Sequence, residues 1–414
     1  MYYYKYKDKC LFSKKEYPEL KTTTMERCFS DNNSIIYYLG ELNPEKSKDS
    51  FCLSSPSLMD IKSESLDILK ENLYSEKLDY LITKKITERK IKYINTRKDN
   101  WKETLDFSLP KKWKINILAL GDVGSTLLTG LKLLGGEYID KIGIYDLSKK
   151  NCLRWKKELG QVYFPFEYER MPDIEVLEYE DLFDCDMFVF CATKAVPSLD
   201  TKVEDVRMVQ FEENSKIVSE YATFARRKNY KGFFAVVSDP VDLLCKQVFL
   251  SSNTNKEGDF DGKGIPGEKI KGYGLGVMNA RAAYFAKKDS RTEHYLKEGR
   301  AFGPHGKGLI IADSIKNYNE DLSNYLTEKT IKANLEIRDL GYKPYVAPAL
   351  SSGAISIINT ISNKWHYSAN FIDGVFMGSN NRNLESGLEF ENLDFPDKLY
   401  EKIQSTYKML KEII

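Results

Sequence analysis

The sequence predicts an α/β protein with a doubly wound parallel sheet, followed by a mixed α+β domain and preceded by an N-terminal extension. From Lys114 onward, short apolar runs alternate with stretches of helical periodicity, which is the pattern of successive βαβ units. A glycine-containing turn follows the first apolar run, and an aspartate closes the second. Beyond about residue 272, short strands and longer helices are predicted instead. We therefore expect three units, at residues 1–112, 113–272 and 273–414.

Five apolar runs have the near-continuous hydrophobic character of strands that are buried on both faces. They are KINILAL (114–120), KIGIYDL (141–147), DIEVLEY (173–179), DMFVFCA (186–192) and GFFAVVS (232–238). Helical stretches separate most of these runs, and the longest reaches about Lys228. A polar, glycine-rich stretch at 251–269 interrupts the regularity and is predicted to be a surface insertion.

The two outer regions have a different character from the predicted sheet. Residues 1–112 contain strand-like stretches, MYYYKYK and Ser34–Leu39, among charged amphipathic runs, and no chemical motif. This region is expected to be an accessory α+β unit, either a packing domain or a cap over a neighbouring site. The elements predicted in the C-terminal region are helices at about Gly276–Lys287 and Leu326–Leu340, a helix after Ala349, a terminal helix at Pro396–Ile414 and two short strands around Gly308–Ala312.

The charge balance and the cysteine spacing argue against nucleic-acid, membrane and metal-binding functions. Lys plus Arg (62) and Asp plus Glu (61) nearly cancel, so no overall field favours nucleic acid or an anionic membrane. No apolar run approaches the ~20 residues that a membrane-spanning helix needs, and the N-terminus is charged rather than signal-like. The seven cysteines show neither a CxxC pair nor a metal-ligand spacing. We expect reduced thiols, no metal site and a cytoplasmic location.

The turn after the first predicted strand, ALGDVGST, has the composition of a phosphate site. The predicted cofactor-binding residues around it are Gly121, Asp122, Val123, Gly124 and Asp146. The glycines let the backbone approach a pyrophosphate, which the N-terminal amides of the following helix bind. Asp146 would accept hydrogen bonds from ribose hydroxyls and repel a 2′-phosphate, which favours NAD over NADP. Ala119 replaces the first glycine of G-x-G-x-x-G, so an ordinary strand-to-helix turn is the alternative to this Rossmann motif.

Five further segments occur in an order that resembles the lactate/malate dehydrogenase family. They are DMFVFCATKAVP, with Ala192 and Thr193 at its cofactor-facing turn, VRMVQFEEN (206–214), VVSDPVDLL (236–244), MNAR (278–281) and GPHGKG (303–308). The resemblance covers about residues 113–414. It implies a Rossmann domain that binds NAD, a lactate/malate dehydrogenase-like C-terminal domain, a small-molecule substrate of the 2-hydroxy or 2-oxo acid class, and a homodimer or homotetramer.

Reduction of a 2-oxo acid requires a hydride donor, a proton donor, a clamp for the carboxylate and a positive group that polarises the carbonyl. Of the three histidines, His305 lies in a glycine-rich turn where an imidazole could face a ligand, which favours it as the acid/base. The resemblance assigns the carboxylate clamp to Arg281, and a planar guanidinium suits that role. It also matches Arg207 to the loop arginine that polarises the carbonyl. These three residues are the predicted catalytic group.

Four residues are predicted to contact substrate, and they are Asp239, Asp200, Met278 and Asn279. Two of them, Met278 and Asp239, depart from the family pattern. Met278 stands where the family has the aspartate that orients the histidine, so His305 lacks that partner unless Asn279 or an acidic side chain from elsewhere reaches it. Asp239 replaces a neutral asparagine and would repel an anionic 2-oxo acid. We therefore expect a substrate that is larger than lactate or carries an amine or imine.

Three other functions are compatible with parts of this sequence. The departures favour, as the main alternative, a relative that retains the fold but serves nucleotide binding or regulation without catalysis. NAD-dependent glycoside hydrolysis on the same fold would need matched cysteine and histidine metal ligands, which the sequence does not show. Tyr284 and Lys288 form the Y-x-x-x-K pattern of short-chain dehydrogenases, but Tyr3 and Lys7 do so too, and the pattern therefore carries little weight.

Overall fold

The computed structural model describes residues 1–71, 74, 77–194 and 206–413, except for the side chains of residues 206 and 207. In the described part of residues 1–112, the chain forms a six-stranded sheet with short helices. The strands are β1 (Tyr2–Tyr6), β2 (Lys9–Ser13), β3 (Lys21–Thr22), β4 (Ile36–Gly40), β5 (Ser50–Cys52) and β6 (Ile91–Asn95), and the helices are α1 (Met25–Cys28), α2 (Tyr80–Thr87) and α3 (Trp101–Thr104). The sheet order is β3-β1-β2-β4-β6-β5, with β2, β4 and β6 parallel. The predicted α+β character is confirmed, and β1 and β4 are the two strand-like stretches.

The second unit contains a parallel sheet of six strands. Its strands are β7 (Trp113–Leu118), β8 (Ile139–Tyr145), β9 (Asp173–Val176), β10 (Met187–Phe190), β11 (Phe233–Val236) and β12 (Ile270–Gly272), and its helices are α4 (Asp122–Leu134), α5 (Lys149–Leu159), α6 (Val206–Arg227) and α7 (Val241–Asn253). The order β9-β8-β7-β10-β11-β12 confirms the doubly wound sheet and its five predicted strands, to which β12 is an addition. Because the strand order reverses between β7 and β10, a crevice for ligands opens at the carboxyl ends of these strands.

The third unit mixes helices with antiparallel strands. Its elements are α8 (Leu275–Ala286), α9 (Tyr295–Glu298), β13 (Arg300–Phe302), β14 (Ile310–Ala312), α10 (Glu320–Asp339), a π-helical turn (Pro348–Ala354), α11 (Ile355–Ile361), β15 (His366–Ile372), β16 (Val375–Leu384), β17 (Gly387–Phe390) and α12 (Asp397–Ile413). The strands β15, β16 and β17 join the central sheet next to β12, which then has nine strands. One sheet therefore runs through both predicted domains. No helix of the described residues is long and apolar enough to cross a lipid bilayer.

The N-terminal unit is docked onto the rest of the chain through a core that it shares with the C-terminal unit and through a buried carboxylate of the second unit. Phe51 and Leu53 pack in one hydrophobic cluster with residues of β16, β17 and α12. The carboxylate of Glu268 is buried and accepts from the backbone N–H of Asp49 at 3.1 Å and of Ser50 at 3.0 Å. These contacts correct the prediction that 251–269 is a surface insertion, because only its central residues are exposed while its end seals this interface.

The exposed part of that segment is held by one arginine–carboxylate pair. Arg226 on α6 donates from Nη1 to Oδ1 of Asp261 at 2.8 Å and from Nη2 to Oδ2 at 2.6 Å. Nη1 also donates to the carbonyl of Ser252 at 2.9 Å. The bond from Arg226 lowers the pKa of Asp261 to about 2. Such two-pronged charged contacts are stronger than neutral hydrogen bonds.

We expect Asp261→Asn to lower the free energy of unfolding by about 1 to 2 kcal/mol at pH 7, since it removes the charge that pairs with Arg226. The folded-state pKa of Asp261 is depressed. The stabilisation is therefore present above the unfolded pKa and is lost as the pH falls toward the folded pKa. Urea unfolding of both proteins at pH 7 and pH 3 measures this difference, which we expect to shrink by about half at pH 3. A difference that stays constant between the two pH values would contradict the pairing.

Candidate active site

The turn between β7 and α4 has the backbone shape of a phosphate loop. Ala119 has a φ of 73°, a left-handed conformation that favours glycine, at the position where the motif lacks its first glycine. A Cβ atom on Gly124 would lie 2.0 Å from the carbonyl oxygen of Ala119, so only glycine permits this approach of helix to strand. A Cβ atom on Gly121 would meet no atom within 4 Å. The surface of the turn is therefore open above Gly121, next to the N-terminal amides of α4.

Asp146, at the end of β8, fastens the neighbouring strand to this turn. Its Oδ2 accepts from the backbone N–H of Leu120 at 2.8 Å, and its Oδ1 accepts from that of Ser148 at 2.9 Å. An ionised carboxylate has about four acceptor sites, so these two bonds leave capacity for further donors. Asp122, in the first turn of α4, lies 3.3 Å from the ammonium of Lys343. The segment after α10 thus extends to the edge of the turn.

The ends of β10 and β11 are tied together by polar side chains. Ser238 donates from its hydroxyl to the carbonyl of Ala192 at 2.8 Å. The buried side chain of Asn214 on α6 donates to the carbonyl of Asp239 at 2.8 Å, accepts from the backbone N–H of Lys194 at 2.9 Å and lies beside the hydroxyl of Thr193. Asn214 thus fixes the place of two predicted site positions. Sequence reasoning did not single it out, although a buried polar residue on a long amphipathic helix is a usable signal.

His305 lies in the loop between β13 and β14, where three contacts set its position. Its backbone N–H donates to Oδ2 of Asp242 at 3.3 Å, and its ring Nδ1 is 2.8 Å from Oδ1 of Asp239. A Cβ atom on Gly274 would lie 2.9 Å from the Cβ of His305, so glycine allows the histidine to approach the start of α8. Gly303 and Gly308, with φ values of 89° and 90°, form the turn that presents the ring.

Arg281 on α8 is half-buried, and its guanidinium forms hydrogen bonds with two of the described residues. It donates from Nη2 to Oδ1 of Asn334 on α10 and from Nη1 to the sulfur of Met278 at 3.6 Å. Burial lowers the pKa of Arg281, and the negative charge of Asp239 opposes that effect. The carboxylate of Asp239 thus contacts His305, and its charge also acts on Arg281.

Two of the residues predicted to contact substrate have other partners. Met278 is buried in the core that packs α8 against α10, with its sulfur at Arg281. Asn279 accepts from the buried hydroxyl of Tyr295 at 2.8 Å. The acidic side chain that reaches His305 is Asp239, which comes from a distant segment of the chain and contacts the imidazole ring through its carboxylate. Asp200 lies outside the described residues, and so does the side chain of Arg207.

The other two histidines have different environments. Nε2 of His294 is 2.9 Å from Oδ2 of the buried Asp313. His366 lies on β15, and burial lowers its pKa to about 3. Neither residue has a described contact with Asp239 or Arg281. Of the three histidines, His305 is therefore the one with a described contact to Asp239.

Curated proteins that are similar in sequence to this chain include L-lactate dehydrogenases. No family model matches the chain. An L-lactate dehydrogenase from Borrelia turicatae is 24% identical over 333 residues, covering 73% of this chain and 98% of the relative. One from Staphylococcus epidermidis is 26% identical with the same coverage.

Solved structures show the same fold. A lactate dehydrogenase from a Medee basin deep-sea metagenome library superposes with a TM-score of 0.58 at 16% identity, over 73% of this chain and 98% of that one. A malate dehydrogenase from Plasmodium falciparum gives a TM-score of 0.56 at 18% identity, over 72% and 96%. The chain is therefore similar in sequence to L-lactate dehydrogenases and shares the fold of lactate and malate dehydrogenases.

Proposed function

We propose that this protein is an NAD-dependent oxidoreductase that interconverts a 2-hydroxy acid with its 2-oxo acid, or a related amine with its imine. The observation that carries the proposal is the 2.8 Å contact of His305 with Asp239, which follows β11 at the carboxyl edge of the sheet and whose charge also acts on the half-buried Arg281. The open phosphate turn lies at the same edge. The relatives and structural neighbours named above are lactate and malate dehydrogenases, which supports this reaction class.

The residues present fit a dinucleotide. The open space over Gly121 leaves room for a pyrophosphate next to the positive end of α4. Asp146 retains acceptor capacity for ribose hydroxyls, and its negative charge disfavours a 2′-phosphate. Ala192 and Thr193, at the end of β10, would line the path from this turn to His305. When bound, the nicotinamide supplies the hydride, so the protein itself must supply binding, orientation and a proton.

Each catalytic side chain has one role in this proposal. Arg281 binds the substrate carboxylate through its planar fork, and Asn334 limits the orientations of that fork. His305 exchanges the proton with the substrate oxygen or nitrogen from Nε2, because Nδ1 faces Asp239. Arg207 is proposed to polarise the reacting carbonyl or imine. Asp239 places negative charge beside the substrate, which is why a substrate that bears an amine or imine belongs in any test.

The proposal is tested by binding and by turnover. We expect NADH to quench tryptophan fluorescence and raise the melting temperature of the purified chain, and NADPH to bind more weakly. Oxidation of NADH should then be followed at 340 nm with a panel of 2-oxo acids of increasing size, with and without ammonium. No effect of NADH in either binding assay would refute the proposal. Binding without turnover across the panel would instead favour the non-catalytic alternative.

A further inference from the structure

We infer that Asp239 is the positioning residue that fixes the ring of His305 for proton transfer. It would replace the aspartate that orients the histidine in the family, at whose position on α8 this chain has Met278. This inference rests on the proposed function. The pair joins residues that lie 66 positions apart, one at the end of β11 and the other in the loop between β13 and β14. Its 2.8 Å contact is the length of a charge-assisted hydrogen bond.

Backbone restraints on both sides show that this pair is built into the fold. Asp239 is held through its own carbonyl by the buried Asn214. His305 is held through its backbone N–H by Asp242, on the first turn of α7, and its close approach to α8 depends on Gly274. Since each partner is located by contacts other than the pair itself, the two side chains meet without first having to order a loop.

The contact determines which ring nitrogen carries the proton in the neutral histidine. An ionised carboxylate only accepts hydrogen bonds, so Nδ1 must donate to Asp239. Nε2 is then the nitrogen that gains and loses a proton during the reaction. In the reducing direction, the Nε2–H bond of the imidazolium breaks as the O–H or N–H bond of the product forms, and a bound reduced nicotinamide would supply the hydride that balances the reduction. Asp239 stays ionised throughout and keeps the hydrogen on Nδ1.

The other described candidates for this role have different contacts. Met278 offers a thioether that lies against Arg281, and Asn279 accepts from Tyr295. Asp242 receives the backbone of His305 rather than its ring. The described charged side chains that contact His305 are thus Asp239, which follows β11, and Asp242 on α7. Only Asp239 has a described bond to the ring.

The test uses nuclear magnetic resonance of the intact chain labelled with 15N-histidine. Three histidines give three ring spin systems, which single His→Gln variants assign. We expect the neutral ring of His305 to carry its hydrogen on Nδ1 in the wild type and to lose this fixed state in Asp239→Ala. The matched control is Asp313→Ala, which removes the carboxylate from His294 and should change only the signals of that histidine. A hydrogen on Nε2 in the wild type, or an unchanged His305 ring in Asp239→Ala, would overturn the inference.

A kinetic measurement separates this inference from the proposed function. With any substrate found in the turnover panel, Asp239→Ala should lower kcat by about 100-fold or more, while the Kd for NADH stays within about twofold. Asp239→Glu should recover part of that loss. Unchanged kcat would overturn the inference while leaving the dehydrogenase in place. If no substrate is turned over, the proposed function fails, and the ring spectrum still decides whether Asp239 fixes His305.

Discussion

Replacement of His305 by asparagine is expected to lower kcat by about 1000-fold, within the range that general acid and base catalysis contributes, and to leave NADH affinity unchanged. The amide of an asparagine can still donate a hydrogen bond to Asp239, so the local packing is preserved. It has no group that exchanges a proton near neutral pH. The measurement is steady-state turnover of the wild type and the variant with the same substrate, together with fluorescence titration of NADH.

His294→Asn is the matched control, because His294 also contacts an aspartate, Asp313, at 2.9 Å. This pair connects the start of α9 with the segment after β14. We expect its loss to change the melting temperature but not kcat. Turnover that survives in His305→Asn, or that falls equally in both variants, would show that the acid/base lies elsewhere.

The parallel sheet could be predicted from the sequence because its strands are buried on both faces and appear as apolar runs. The three antiparallel strands added by the C-terminal unit were not predicted. Their interior includes polar side chains such as Ser368, Asn370 and Asn381, which are fully buried and bonded to one another. A strand whose buried polar side chains bond to one another does not appear in the sequence as an apolar run. Its burial depends on hydrogen-bond partners in neighbouring strands, which the sequence does not identify.

The same distinction applies to the candidate site. Gly121, Gly124 and Asp146 lie within one βαβ unit, so local spacing was enough to find the phosphate turn. The bond between Asp239 and His305 joins distant segments, and the substitution at Asp239 was interpreted from its charge alone. The docking of the N-terminal unit through Glu268 was likewise not predicted, because a carboxylate in a polar stretch is normally exposed.

Gly124→Ala is expected to lower the free energy of unfolding by about 3 kcal/mol and to remove NADH binding, since its added carbon would lie 2.0 Å from the carbonyl oxygen of Ala119. That oxygen belongs to the backbone at the end of β7, which cannot yield without loss of the sheet. The start of α4 must therefore move outward, carrying its N-terminal amides away from the phosphate position. Urea unfolding and NADH titration measure the two effects.

Gly121→Ala in the same turn distinguishes an effect on NADH binding from an effect on the stability of the fold. The residue has a φ of −72°, which alanine adopts readily, and its added carbon would meet no atom of the chain within 4 Å. We expect unchanged stability and an NADH affinity lower by about 10-fold or more, since the methyl group would take space that the pyrophosphate requires. If Gly121→Ala binds NADH as tightly as the wild type, the pyrophosphate does not lie on this turn. If Gly124→Ala is as stable as the wild type, α4 can shift to accommodate the added carbon. The close approach to Ala119 would then not be the reason that glycine is required.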